Sequence, residues 1–295
     1  MTINIYHIRE YRHDGFTYLL DDEDKTAWIQ EGHIGRYHRY HVPDHVIING
    51  EKYTIESVEN GAINCPRTLR HLVIPDTINY IDEHAFNLPD TLRSVFIGKG
   101  LKYLDNFNSI LHPKNLNINI DKDNPHLKYA NGMIMSMDGK KIFACLKDRQ
   151  QIIIPEGVEE INQVAFSGFS KLESITLPTT LRRTRDNSFS CLQKLTSIVL
   201  PEGFEICGTQ CFMDDENLAY VDLPSTITDL GWETFMNCRN LQTIILRTSK
   251  MIEKVKGCFE GVPTGNCRLY VPPQLVEQYR QHPDWGEFGN ISPID

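Results

Sequence analysis

Leu195-Thr196-Ser197-Ile198-Val199-Leu200-Pro201 is followed, 23 residues on, by Leu218-Ala219-Tyr220-Val221-Asp222-Leu223-Pro224. The same apolar-Pro pair stands at Ile154-Pro155 and Leu177-Pro178, at the same interval. A period of about 20 to 29 residues marks a solenoid, in which each repeat buries its apolar side only by stacking on its neighbours. Within the unit, Leu-x-x-Ile-x-Leu alternates toward its end as a short strand with one buried face does. Proline then stops the strand, because it fixes φ and has no N–H to give to a ladder.

Downstream of Pro201 come Phe204, Cys207 and Cys211-Phe212. Their counterparts after Pro224 are Ile227, Leu230 and Thr234-Phe235. These apolar positions turn the chain back inward, and the three-residue spacing of Ala-Phe-x-x-Cys-x-x-Leu predicts a single helical or 3₁₀ turn. Phe fills the space between strand and outer wall. Followed outward, the column runs Pro43, Pro75, Gly98, Asp121, Pro155, Pro178, Pro201, Pro224, Arg247 and Pro272, which makes ten coils. Two intervals are long. The insertion near 44–56 carries Asn49-Gly50, a two-residue hairpin signal. The insertion near 122–150 holds two apolar runs, Met133 to Met137 and Lys141 to Phe143, around Asp138-Gly139. Both are expected as hairpins on the outer wall. Residues 1–39 read as a capping hairpin, Phe16 to Leu20 against Thr26 to Ile29. Residues 273–295 read as a second cap, with a helix from Gln274 to Gln281 and Trp285, Phe288 and Ile291 closing the last coil.

The repeat Ala-Phe-x-x-Cys-x-x-Leu-x-x-Ile-x-Leu-Pro, in register through five consecutive copies, resembles the BspA-like leucine-rich repeats of bacteria, the Treponema pallidum type. Residues 40–272 carry the likeness, supported by Asp121-Lys122-Asp123-Asn124-Pro125, Asp138-Gly139-Lys140 and Tyr270-Val271-Pro272. The resemblance implies a leucine-rich-repeat solenoid of right-handed parallel-β coils of about 23 residues, with strands on the concave side, short helical or 3₁₀ turns on the convex side, and a cap at each end. It also implies the surface-exposed, protein-binding role common in that family, and it supplies no shared catalytic motif.

Bulk composition narrows the function. The formal net charge is −9, with 39 acidic against 30 basic residues, so the broad positive field that nucleic acid or an anionic membrane requires is missing. No stretch approaches about 18 apolar residues, so no membrane insertion is expected, and Met1 to Glu10 lack a basic segment followed by an apolar one. Read as a native start, this places the chain in the cytoplasm; a leader replaced by a new Met would place it at the cell surface or outside. Of eight cysteines, Cys211 and Cys258 share a column with Ala62, Ala85, Ala165, Ser188 and Thr234, which calls for a small buried side chain. Cys65, Cys191 and Cys238 read the same way. Free buried thiols are therefore expected rather than disulfides.

No nucleotide-binding glycine loop, zinc-protease motif or serine-nucleophile motif occurs, and no cofactor is expected. His33, His38, His41 and His45 form the densest polar cluster. Zinc would need three or four such ligands converging, whereas Tyr37, Arg39 and Tyr40 interleave with them as in an exposed strand of mixed residues. Asp121, Asp123 and Asn124 begin like a calcium loop. Its sixth-position glycine and twelfth-position glutamate are absent, so a solvated turn is expected.

What remains is the sheet surface. If Ile198 and Leu200 point inward, Val199 points out, and its column is His41, Val73, Phe96, Asn119, Ile153, Thr176, Val199, Asp222, Ile245 and Tyr270. Six of the ten are large and apolar, and an apolar stripe rimmed by polar groups marks a protein-binding surface on a solenoid. The neighbouring column, His71, Ser94, Gln151, Ser174, Ser197, Tyr220, Thr243 and Arg268, is mostly small and hydroxylic. The sequence thus points to a non-enzymatic module that binds a protein or peptide on its sheet. The alternatives are a metal-dependent protein or enzyme built on His33 to His45, and a self-associating scaffold.

Overall fold

The computed structural model describes residues 8–82, 84–102, 104 and 116–294, so the first seven residues of the sequence lie outside it. The chain forms two compact units, Met1–Met137 and Asp138–Asp295. Each contains short parallel strands stacked at the repeat interval, to which the first adds antiparallel hairpins.

In the first unit, Arg39–His41, His71–Ile74, Ser94–Ile97 and Asn117–Ile120 form a parallel sheet. Its register matches the sequence columns: His71 opposes Ser94, which opposes Asn117 in turn, and Val73 opposes Phe96, which opposes Asn119. Leu72, Val95 and Ile118 point inward and are buried. Gly98 takes a station held elsewhere by proline because a Cβ there would lie 2.7 Å from the Pro75 carbonyl carbon and the Asp76 nitrogen. Asp76 instead accepts a hydrogen bond from the Lys99 amide.

The N-terminal cap has one strand more than the sequence reading gave it. Ile8–His13 and Phe16–Asp21 pair about Asp14-Gly15, and Phe16–Asp21 pairs in turn with Thr26–His33. The hairpin at 44–56 exists, as His45–Ile48 against Glu51–Val58, with Asn49 and Gly50 both at positive φ. It does not stand apart on the outer wall. Glu51–Val58 pairs with Thr26–His33 and with Tyr80–Ile81, so the insertion extends a second sheet. In the later insertion the two runs expected to flank Asp138-Gly139, Met133–Ser136 and Lys141–Cys145, are neighbours in one sheet, and a further hairpin precedes them. Leu127–Ala130 pairs with Met133–Ser136 about Asn131-Gly132, upstream of Asp138-Gly139.

In the second unit, Gln151–Ile153 pairs with Ser174–Thr176, and a five-stranded sheet runs through Ser197–Val199, Tyr220–Leu223, Thr243–Leu246, Arg268–Val271 and Asn290–Pro293. The last strand was not read from the sequence. It extends the sheet beyond the final proline station, and the expected cap helix, here Val276–Gln281, buries Val276 and Tyr279, with Leu275 and Trp285 buried in the turns before and after it. A second parallel ladder, Lys141–Cys145, Glu160–Ile161, Arg183–Thr184, Ile206–Cys207 and Asp229–Leu230, forms where the sequence reading had only apolar anchors.

The segment around each Ala-Phe pair is not helical. Among the described residues, helical turns occur only at Pro273–Leu275, Val276–Gln281 and Trp285–Glu287. Instead the backbone passes through positive φ at Val164, Asn187, Gln210 and Glu233, and again four residues later at Gly168, Cys191, Asp214 and Asn237. This geometry aims alternate amides along the stack. Phe166 N bonds Ser188 O, Phe189 N bonds Cys211 O, and Phe212 N bonds Thr234 O. A helix would spend those amides within its own coil; the turns spend them between coils and so tie the coils together.

That backbone ladder holds the phenylalanines in register. Phe166, Phe189, Phe212 and Phe235 stack with centroids 5.3, 5.6 and 5.6 Å apart and planes within 19°, and Phe259 continues the column. The residue before each Phe is packed tightly: Cys211 is buried with the Thr184 and Ser188 hydroxyls 3.3 and 3.2 Å from its sulfur. The same ladder explains why Cys191 is exposed, contrary to the buried place expected for it. It belongs to the outer positive-φ column with Gly168 and Asp214, two residues past Phe; Cys238, three residues past Phe, is buried. The other seven cysteines are buried and all eight are free.

Asn124 also differs from the solvated turn expected. It is buried, and its side chain donates to Gly98 O and Leu101 O and accepts from the amides of His126 and Leu127. It is a bracket between neighbouring coils.

Candidate binding surface

Strand alternation places the two outward columns on the open face of each unit. Ile198 is 2 % exposed and Val199 is 59 % exposed, so the buried and free faces of this strand are separated by one residue.

In the first unit, Val73, Phe96 and Asn119 come together with Arg39, His41, His71 and Ser94 around a shallow cup of about 430 Å³. That size falls within the roughly 300 to 1,000 Å³ of small-ligand sites. The His71 ring is fixed by a 2.8 Å contact between Nδ1 and Ser94 Oγ. Apolar surface comes from Val73 and Phe96, and polar groups rim it on both sides.

The second unit presents Ile153 beside Thr176, Val199 beside Asp222, and then Ile245 and Tyr270. Ile153 is the most open of the exposed large apolar side chains, at 71 %. Asp222 is not open. Arg247 closes over it with two 2.8 Å hydrogen bonds, Nε to Oδ1 and Nη2 to Oδ2, and the Tyr220 hydroxyl donates to Oδ2 at 3.3 Å. The alternation that placed Asp222 outward is correct for its backbone; its carboxylate is committed to a neighbouring coil.

The four histidines do not gather. His33 ends the strand Thr26–His33, His38 Nδ1 meets Thr68 O at 3.1 Å, His41 faces the cup, and His45 pairs with Asp44 at 2.6 Å. Among the described residues no three His, Cys, Asp or Glu side chains converge as a metal site would need. Burial pushes the thiols of Cys65 and Cys267 up to about 12 and those of Cys145 and Cys258 up to about 11, which leaves them as thiols rather than reactive thiolates at neutral pH.

Trp232 was missed in the sequence. It is 58 % exposed on the turn wall, with the Lys256 ammonium 5.1 Å from its ring centroid. The signal was available: its column is otherwise Gln163, Asp186 and Thr209, and a lone Trp among polar residues stands out.

The arrangement is matched by the BspA type leucine rich repeat region, with six copies over residues 46–123 and 139–263. The chain belongs to this leucine-rich repeat family. The solved structures that resemble it include the pneumococcal vaccine antigen PcpA, with a TM-score of 0.51 and 12% identity over 97% of this chain and 99% of that one. Two further repeat proteins are also similar. One, from Eubacterium ventriosum, has a TM-score of 0.47 and 13% identity over 86% and 95%. The other, a leucine rich cell surface protein from Faecalibacterium prausnitzii, has a TM-score of 0.36 and 17% identity over 97% and 95%. No curated protein matches the sequence. This BspA-type chain is therefore a solenoid of about ten turns; among its described residues no helix is long and apolar enough to cross a membrane.

Proposed function

We propose that this BspA-type protein is a non-enzymatic binding module that takes a protein or peptide ligand on the outward columns of its strands. The observation that carries the reading is the separation of roles along one strand: Val95, Ile198 and Ile244 hold the core, while Phe96, Val199 and Ile153 are open to solvent. Large apolar side chains kept in water along a regular array are what a protein-binding face needs. On this reading the contact residues are Val73, Phe96 and Asn119 in the first unit and Ile153, Thr176, Val199, Ile245 and Tyr270 in the second, with Asp222 acting through its pair with Arg247.

The test is a double substitution, Val199→Glu with Ile245→Glu, compared with the wild type in affinity capture from host or bacterial extracts. The variant should keep the cooperative melting of the wild type, since Val199 is exposed and Ile245 half-buried on the outward face and surface substitutions cost little, and it should lose the captured partner. A folded variant that captures the same partner equally well would move binding off this face.

A further inference from the structure

The strand face of the first unit has a charge composition unlike the chain that carries it. Its outward residues, read strand by strand, are Arg39 and His41, His71 and Val73, Ser94 and Phe96, Asn117 and Asn119, fixed in this grid by the parallel register. None of the eight is acidic, in a chain with 39 acidic residues. Two more arginines, Arg70 and Arg93, precede the strands at the same end as Arg39 and His71. Arg70 is turned back onto the carbonyls of Arg67 and Leu69, but Arg93 is exposed.

The carboxylates that follow these strands most closely lie past their far ends and are occupied locally, while Asp90, four residues before Ser94, is exposed at the arginine end. Asp44 holds His45, Asp76 accepts from the Lys99 amide, and Asp121 accepts from the Asp123 amide. A ligand entering the cup thus meets the Arg39 guanidinium and the His71 ring on one side and the apolar surface of Val73 and Phe96 on the other. His71 spends Nδ1 on Ser94, which orients the ring and leaves Nε2 to a ligand.

We propose that this cup binds an acidic segment of a partner protein, with a carboxylate held by Arg39 and His71 and an apolar side chain packed on Val73 and Phe96. The inference rests on the sheet-face reading above and gives its first-unit site a ligand class. Arginine at the rim favours carboxylate through its paired N–H donors. The chain's overall negative charge disfavours long polyanions, whose many charges would reach beyond the cup.

The experiment measures fluorescence anisotropy of the full chain with a labelled short peptide of Glu, Ser and Phe, and with the same peptide carrying Gln for Glu. The Glu peptide should bind at least about tenfold more tightly than the Gln peptide, and Arg39→Ala with His71→Ala should remove about that factor. The variant's melting temperature should stay unchanged, and a neutral Ser94→Ala should have a smaller effect. Equal affinity for both peptides, no binding of either, or competition by heparin as strong as that of unlabelled Glu peptide would overturn the proposal. The wild type and the Val199→Glu, Ile245→Glu variant should bind the Glu peptide alike. If the peptides fail while that variant still loses its captured partner, the acidic-ligand inference falls and the wider reading stands.

Discussion

The two units solve the same stacking problem with different materials. In the second, the repeat is regular and one aromatic column, Phe166 to Phe259, runs the length of the stack. In the first, hairpins interrupt the repeat, and the position equivalent to that column holds Ile63 and Phe86. The open faces differ too: the second offers Ile, Thr, Val and Tyr with one closed ion pair, the first a cup rimmed by Arg39, His41 and His71. Regular repeats stabilise by repetition, and the chemically distinctive surface lies where the repetition is weaker.

The largest expected effect tests whether one residue of register separates core from surface. Ile198→Glu with Ile244→Glu puts two carboxylates into fully apolar surroundings, where an unpaired charge is very costly. The second unit should lose its cooperative thermal transition while the first retains its own, which circular dichroism and proteolysis would resolve. Unchanged melting would mean that the assigned register is wrong.

Next comes the aromatic column. Phe212→Ala should cost about 3 to 5 kcal/mol in chemical denaturation through the cavity it leaves. Phe86→Ala should cost about 1 kcal/mol less, because the stacked neighbours add roughly 0.5 to 1.5 kcal/mol per aromatic pair. Equal losses would remove the stack as a distinguishing feature of the second unit.

A third contrast concerns buried polar groups. Asn124 in the first unit is neutral and satisfied by four hydrogen bonds. Asp215 in the second accepts only from the Leu192 amide, and its Oδ2 is buried without a partner. Burial holds the Asp215 carboxyl well above the ordinary carboxylate range. Its contribution to stability is complete below that range and is lost as pH rises through the raised value. Wild-type stability should therefore fall, relative to Asp215→Asn, from about pH 4 upward. Parallel pH profiles for the two proteins would contradict this account of Asp215.

Much of this was legible in the sequence, because the solenoid repeats its own evidence. Proline stations, inward ladders and the free, mostly buried thiols follow from period and alternation. The turns were misread because a three-residue apolar spacing suits a helical turn and an αL-containing turn equally; positive φ at Asn187, Gln210 and Glu233 leaves no apolar signature. The exposure of Cys191 followed from that same error. Asp222 faced outward as expected, but its capture by Arg247 depends on two side chains 25 residues apart meeting across a coil boundary. The cup was invisible for a similar reason: Arg39 and His71 are 32 residues apart, and the 44–56 insertion hides their pairing.

The smallest effect follows from the corrected turns. Val164 is β-branched yet sits at φ 47° in a column otherwise filled by Asn187, Gln210 and Glu233. Val164→Asn should stabilise the second unit by about 1 kcal/mol by relieving backbone strain. A lower melting temperature would mean that its packing outweighs the strain.

The central claim, that ligands sit on the strand faces rather than the turn wall, is most directly tested by photo-crosslinking. A photoreactive residue at Phe96, at Val199 or at Trp232 samples the first face, the second face and the turn wall in turn, each site being exposed in the free chain. Crosslinks to captured partner should form from Phe96 or Val199 and be absent from Trp232. Capture from Trp232 alone would place the binding surface on the turns and contradict the account.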